Sequence, residues 1–144
     1  MDRCPCLSGL RLEECCGPLL AGAPAPTAER LMRSRFTAFA RGDLAHLVRT
    51  WDPRTRPEDL ALDPDVRWYR LDVRRTWAGG ERDDEGVVEF AAHHRWAPGR
   101  RPEGAPRGGV LHEVSRFRRD DGRWLYVAAL DGPPPAGGAG PRWP

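Results

Sequence analysis

Four cysteines within thirteen residues constrain this chain more than anything else in it. Cys4 and Cys6 form a Cys-x-Cys pair, Cys15 and Cys16 follow as a Cys-Cys pair, and no other cysteine occurs in the 144 residues. Four thiolates can fill the positions of a tetrahedral zinc ion at about 2.3 Å each. The segment holds too few apolar residues to bury a core, and a metal can supply folding free energy instead, about 10–16 kcal/mol in small zinc peptides. Two disulfides or four free thiols are the alternatives, but neighbours such as Cys15 and Cys16 pair only through a strained ring. No apolar signal-peptide core precedes the cysteines, so a reducing, cytoplasmic compartment is expected. The expectation is one structural zinc on Cys4, Cys6, Cys15 and Cys16, with iron left open by ligand type alone. Filled by thiolate at every position, such a site has no place for water and no catalytic role.

Beyond the cysteines, Gly22 to Pro26 reads as a short stiff linker into a helix with Thr27 as N-cap and Gly42 as stop. Ala28, Met32, Phe36 and Phe39 make its apolar stripe, and Arg33 and Arg35 lie off it, on a pocket rim or in solvent. A second helix starts at Asp43, with Leu44, Leu47, Val48 and Trp51 as its buried face and His46 beside that face, partly buried. Asp52-Pro53 ends it, and one more helical turn is expected from Pro57.

From residue 66 the period becomes alternating. The first strand is expected to place Tyr69, Leu71, Val73 and Trp77 on one face. The second, Gly86 to Trp96, alternates Val88, Phe90, Ala92, His94 and Trp96 with Val87, Glu89, Ala91, His93 and Arg95. Ala97 to Gly109 is a Pro, Gly and Arg-rich loop, read as a flap or an irregular excursion. Val110–Arg119 and Arg123–Leu130 flank Asp120-Asp121-Gly122 as a tight hairpin. Two helices followed by consecutive antiparallel strands give an α+β layout. The Pro and Gly-rich segment 131–144 reads as disordered.

Several words of the sequence match a known family. Cys4-Pro5-Cys6-x-Ser8-Gly9 with Cys15-Cys16-Gly17 resembles the SEC-C zinc motif of the preprotein translocase tail. Ala25-Pro26-Thr27-Ala28-Glu29, Leu31 to Phe36, Thr50-Trp51-x-Pro53-x-Thr55-Arg56-Pro57, Gly86 to Phe90, Leu111-His112-Glu113-x-Ser115-Arg116-Phe117 and Gly122-Arg123-Trp124-x-Tyr126 extend the likeness. Together they resemble the YchJ-like bacterial family, a SEC-C motif ahead of a nuclear transport factor 2-like domain, over residues 4 to 130. The resemblance implies a cone: helices packed on a curved antiparallel sheet, with an N-terminal zinc knuckle. It divides the chain into a knuckle, 1–22, the domain, 23–130, and the tail, 131–144, without the second C-terminal SEC-C copy some relatives carry. The family has no established activity. This chain departs from the pattern with Leu7 for the usual glycine, Cys16 for a frequent histidine, Asp52 for histidine and Phe36 for tyrosine.

Chemistry in such a fold belongs in the sheet pocket. Weak catalytic candidates are His93, His112, Glu89 and Glu113, as a cross-strand pair such as His93 with Glu113 or Glu89 with His112. His112 and Glu113 are adjacent on one strand and point to opposite faces, so they cannot pair with each other. Arg33, Arg35, Trp51, Thr55, Arg56 and Tyr126 are candidates for a ligand pocket. Structural ion pairs are the competing explanation for the same acids and arginines.

Three readings follow: a zinc-stabilised protein that binds a small molecule or a protein, an acid/base enzyme, and an assembly module that docks through the knuckle or dimerises through the sheet. The first is favoured, with a protein partner on the knuckle by analogy with the translocase tail, and a monomer or homodimer as the oligomer. Nucleic acid is not expected, because 23 basic residues, all arginine, are interspersed with 21 acidic ones for a net charge of +2. No apolar run reaches the ~20 residues that span a bilayer, so no membrane role is expected.

Overall fold

The structure, a computed structural model, describes residues 2–132. The expectation of a disordered tail falls almost wholly outside them. The chain runs through a 3-10 turn at Leu12–Glu14, helices α1 (Cys16–Leu20), α2 (Ala28–Arg41) and α3 (Leu44–Arg49), then strands β1 (Val66–Ala78), β2 (Glu85–Trp96), β3 (Gly108–Asp120) and β4 (Arg123–Leu130). The strands form one antiparallel sheet in the order β1-β2-β3-β4, and α2 lies across one face of it. Among the described residues no helix is long and apolar enough to cross a membrane.

Helix α2 begins and ends where its caps dictate. Thr27 Oγ1 accepts the N–H of Arg30 at 3.1 Å, and Gly42, at φ +77°, takes the left-handed C-cap that a side chain would resist. Leu31, Met32 and Phe36 bury against Leu71, Val88, Phe90, Phe117 and Trp124 of the sheet, the main core. Asp43 caps α3 through the N–H of His46. That helix stops at Arg49, two residues short of Trp51, and Leu44 is exposed, so the expected buried face of α3 reduces to Leu47, half-buried Val48 and His46. Trp51 instead pairs in parallel with Tyr126, extending the edge of β4. No helical turn forms at Pro57, because the N–H groups of Thr55 and Arg56 close a turn onto Asp52 O.

The faces of β1 differ from simple alternation. Irregularities between Trp68 and Arg70 and between Val73 and Arg75 shift the register. Each slip exchanges faces downstream of it. Trp68, Leu71 and Val73 therefore face α2, while Tyr69 stands exposed beside the rings and guanidinium of His93 and Arg95. Trp77, opposite Val87, lies on the outer face under Arg75. The β3–β4 hairpin closes as expected, with Asp121 and Gly122 both at positive φ as a two-residue type I′ turn requires. Residues 97–107 form successive turns tied down by Trp96 Nε1 to Pro106 O and Ala97 N to Asp65 O.

Three buried polar side chains hold α3 and its exit. His46 is wholly buried, not partly. Arg49 donates to its Nδ1 at 3.0 Å, so the neutral ring carries its proton on Nε2 and donates to Ser34 Oγ at 2.9 Å, which donates on to Leu31 O. Asp52 is fully buried, and Arg118 and Arg54 both donate to its carboxylate, at 2.6 and 3.0 Å. The hydrogen bond from Arg118 is the main force holding the Asp52 carboxyl well below the usual carboxylate range. Arg35 is taken up below.

Burial, with the charges of Arg49 and Arg35, pushes His46 down to about 4 from 6.5. Its folded value lies below its unfolded one, so the unfolded chain takes up the proton first as pH falls. Stability should therefore drop by roughly 3 kcal/mol between about pH 6.5 and 4. Asp52 acts lower, its contribution being lost only as pH falls through the carboxylate range. Denaturant unfolding of the protein and of His46→Gln at each pH checks this; the variant should lose the His46 part of the slope, and an NMR titration of the ring should follow the same midpoint.

Candidate metal centre and sheet pocket

The N-terminal segment folds back on itself so that its cysteines converge. Arg3 pairs with Arg11, Cys4 N donates to Leu10 O at 2.9 Å, and Leu7 N closes a turn onto Cys4 O. Leu7 adopts φ +63° at the position where the resemblance expects glycine. Gly17 is required for a different reason: a Cβ there would lie 2.7 Å from Leu12 O. The outcome is four buried sulfurs, each residue at most 1 % exposed.

All four Sγ atoms lie within 4.8 Å of one another, with Cys6–Cys15 at 3.6 Å and Cys15–Cys16 at 3.9 Å. Tetrahedral zinc with 2.3 Å bonds sets sulfurs about 3.8 Å apart, so the donor set fits such an ion. None of the four cysteines is in a disulfide. Hydrogen bonds from Cys16 and Cys6 push the Cys4 thiol down, whereas Cys16, donating to Cys4, is pushed up. A divalent cation at the centre removes that conflict by favouring thiolate at all four. Outside the cluster, Ser8 Oγ donates to Cys15 Sγ at 3.1 Å and Thr37 Oγ1 lies 3.6 Å from Cys4 Sγ.

Helix α2 holds this knuckle. Arg33 Nη1 donates to Cys6 O at 2.9 Å while its Nε pairs with Glu29, and Arg30 reaches Cys15 O at 3.4 Å. Arg30, Arg33 and Thr37 share one face of the helix at the i, i+3, i+7 spacing. Arg33 therefore belongs to the knuckle and not to the sheet pocket. A cleft of about 360 Å³ lies further along, where the stretch after α1 meets the domain, past Leu19, His46 and Trp124. Arg49 and Arg123 spend donors there on Leu20 O and Gly22 O, which makes the cleft a clasp between knuckle and domain.

The second candidate site is a cavity of about 210 Å³ between α2 and the sheet. Met32, Phe36 and Phe39 come from the helix, and Trp68, Phe90 and Leu111 from the strands. Leu111, 44 % exposed, marks its mouth. Its polar side chains are Arg35, Glu113, Tyr126 and the indole of Trp51. Arg35 is 3 % exposed, on the covered side of α2 and not in solvent. Its Nη1 donates to Leu47 O at 3.0 Å and Thr50 Oγ1 at 2.7 Å. The guanidinium carbon lies 5.0 Å from the Trp51 ring centroid and 4.7 Å from that of Tyr126. Burial pushes Arg35 down to about 10. Glu113 Oε2 accepts from Ser115 Oγ and, at 2.9 Å, from Tyr126 Oη. Desolvation, then the charge of Glu113, raises Tyr126, which stays a neutral donor.

The remaining candidates lie elsewhere. Glu89 and His112 do form the cross-strand pair, at 2.7 Å, but on the outer face with Arg75 and with His112 54 % exposed. His93 pairs with Asp72 at 3.1 Å on the same outer face, not with Glu113. Thr55 Oγ1 donates to Val127 O and Arg56 to Val48 O, so both fasten the loop after α3 and neither lines the cavity. Asp52 and Arg118 were not among the residues singled out from sequence for a site; they join through a separation of 66 positions that no local pattern marks.

A family model described as YchJ, middle NTF2-like domain, matches residues 27–129. A UPF0225 protein of Chromobacterium violaceum is 51 % identical over 132 residues, covering 88 % of this chain and 91 % of the relative. One from Streptomyces coelicolor is 48 % identical over 125 residues, 86 % and 91 %. In solved structures, the fold is similar to a SEC-C motif containing protein from Rhodopseudomonas palustris, with TM-score 0.72, 34 % identity and coverage of 90 % and 98 %. A SEC-C motif containing protein from Psychrobacter arcticus follows with TM-score 0.65, 25 % identity and coverage of 87 % and 80 %. With its cysteine knuckle seated on an NTF2-like domain, this chain belongs to the YchJ-like UPF0225 family.

Proposed function

We propose that this protein is a cytosolic, zinc-stabilised binding protein whose cavity under α2 takes a small molecule. The observation that supports binding over acid/base chemistry is the partition of polar groups between the two faces of the sheet. Both His–carboxylate pairs, His112–Glu89 and His93–Asp72, lie outside. The one acid of the cavity, Glu113, is engaged by two hydroxyl donors. Apolar walls with few, fixed polar groups are the usual make-up of a ligand site. Zinc on Cys4, Cys6, Cys15 and Cys16 is the stabilising part of the proposal, and unpaired cysteines suit a reducing compartment.

A second reading rests on the knuckle surface. Leu7 and Leu10 are 54 % and 46 % exposed on it, and a protein partner that covers them would make the knuckle a docking element.

Native mass spectrometry of gently purified protein should show one zinc per chain, and a chelator should lower the melting temperature and release the N-terminal segment; a fully stable, metal-free protein would reject the metal. Gly17→Ala should weaken zinc retention about tenfold or more through its clash with Leu12 O, whereas Leu7→Gly should stabilise the knuckle by up to about 1 kcal/mol by relieving its left-handed backbone. A competition titration with a chromophoric chelator reads both. For docking, the Leu7→Ser/Leu10→Ser double variant should keep its zinc and lose any co-purifying protein; unchanged recovery rejects that role.

A further inference from the structure

Arg35 is a buried cation whose hydrogen bonding is incomplete among the described residues. It is 97 % buried, by its 3 % exposure, yet among the described residues it forms no ion pair. A guanidinium carries five N–H donors. The two bonds that tie α2 to the end of α3 both leave from Nη1, so Nε and Nη2 have no hydrogen-bond partner among the described residues. Neither atom is among the fully enclosed side-chain nitrogens that lack a hydrogen bond, and Arg35 lines the cavity. A purely structural role for Arg35 is thus met by one of its three nitrogens. The other two are left unbonded among the described residues, on a side chain that lines the cavity.

From the cavity's charge, shape and rings together we infer that its ligand is a small planar aromatic carboxylate that also carries a hydrogen-bond donor. This inference rests on the small-molecule reading above and names its ligand class. A carboxylate matches the planar guanidinium fork and supplies the direct ion pair that Glu113, which acts on Arg35 only through space, does not. The rings of Phe36, Phe39, Trp51, Trp68, Phe90 and Tyr126 around the cavity suit a flat apolar body. Glu113 sets the second requirement. Its Oε2 takes both hydroxyl donors, and Oε1 has no partner among the described residues, so it favours a ligand with an O–H or N–H and disfavours a bare dianion. At about 210 Å³ the space is below the roughly 300–1,000 Å³ of drug-sized sites, enough for one ring with its substituents. The lowered pKa of Arg35 fits the same picture, as a cation still charged at neutral pH and held at a cost.

Three probes that share a phenol ring and differ only in the head group test this: para-hydroxybenzoate, para-hydroxybenzamide and para-hydroxybenzylammonium, each titrated into the zinc-loaded wild-type protein by heteronuclear NMR. The expected result is that para-hydroxybenzoate binds at least about tenfold more tightly than the other two, with shifts centred on the Trp51 indole and the Arg35 Nε–H. Equal or tighter binding of the amide or the cation overturns the carboxylate assignment while the cavity remains a binding site. Binding of para-hydroxybenzoate with shifts elsewhere overturns the assignment to Arg35. No binding by any probe overturns this inference; the small-molecule reading falls with it only if native mass spectrometry also finds no bound small molecule. Arg35→Gln should abolish the preference for the carboxylate, and if that variant does not fold, the wild-type probe series decides alone.

Discussion

Helix α2 is held from two sides, and most of what distinguishes this molecule depends on that double seating. Its apolar residues Leu31, Met32 and Phe36 face the sheet core, and Arg30, Arg33 and Thr37 reach into the cysteine knuckle. The two contacts differ in kind. The sheet side is held by area: each buried Leu, Met or Phe contributes about 1.5–3 kcal/mol. The knuckle side offers little area, with Leu19 as the one fully buried leucine of residues 2–22, and depends on hydrogen bonds to the carbonyls of Cys6 and Cys15. Those carbonyls sit where they do only if the loop around the cysteines keeps its shape. A metal held by the four thiolates, worth about 10 kcal/mol or more in small zinc peptides, would outweigh anything else the segment has.

The arginine-only basic composition acquires meaning in the same frame. A guanidinium can satisfy several acceptors from a fixed plane, which a lysine cannot. Arg33 joins a carboxylate to a backbone carbonyl, Arg49 a carbonyl to an imidazole, and Arg118 closes on buried Asp52 with two nitrogens. Buried polar groups left alone cost about 1–3 kcal/mol each. These arginines thus stitch loops that lack apolar area of their own. Arg35 uses the same fork, and only partly.

How much of this the sequence disclosed depends on whether the information was local. The cysteine cluster, the Thr27, Gly42 and Asp43 caps and the Asp121-Gly122 turn are each set by a few neighbouring residues, and each formed where it was expected. The Glu89–His112 pair was legible as a pair, yet its face was not. In β2 both Val87 and Ala91 on one side and Val88, Phe90 and Ala92 on the other are buried, so alternation carries no sign. The two register shifts of β1 then reverse Tyr69 and Trp77. His46 escaped for another reason: its burial is made tolerable by Ser34, twelve residues away, which no helical pattern reveals. Trp51 was expected on a helix, but its ring stands edge-on to Tyr126 of β4, whose backbone N–H and C=O bond Thr50 and Asp52 on either side of it.

The distances along α2 bear on why a cysteine knuckle and a cavity occur in one small chain. Arg33, which grips the knuckle, and Arg35, which enters the cavity, are two residues apart, so they project from opposite sides of a single turn. Thr37, against Cys4, is two residues further on. A helix is stiff over such a length, and a rotation that freed Arg33 from Cys6 would carry Arg35 with it, away from Leu47, Trp51 and Tyr126. The knuckle therefore sets more than the order of its own loop: it fixes the rotation of α2 about its axis, which apolar contacts alone specify loosely because they are not directional. Directional bonds on the back of the helix are what allow a charged group on its front to be presented, incompletely bonded, to a cavity whose walls are mostly apolar.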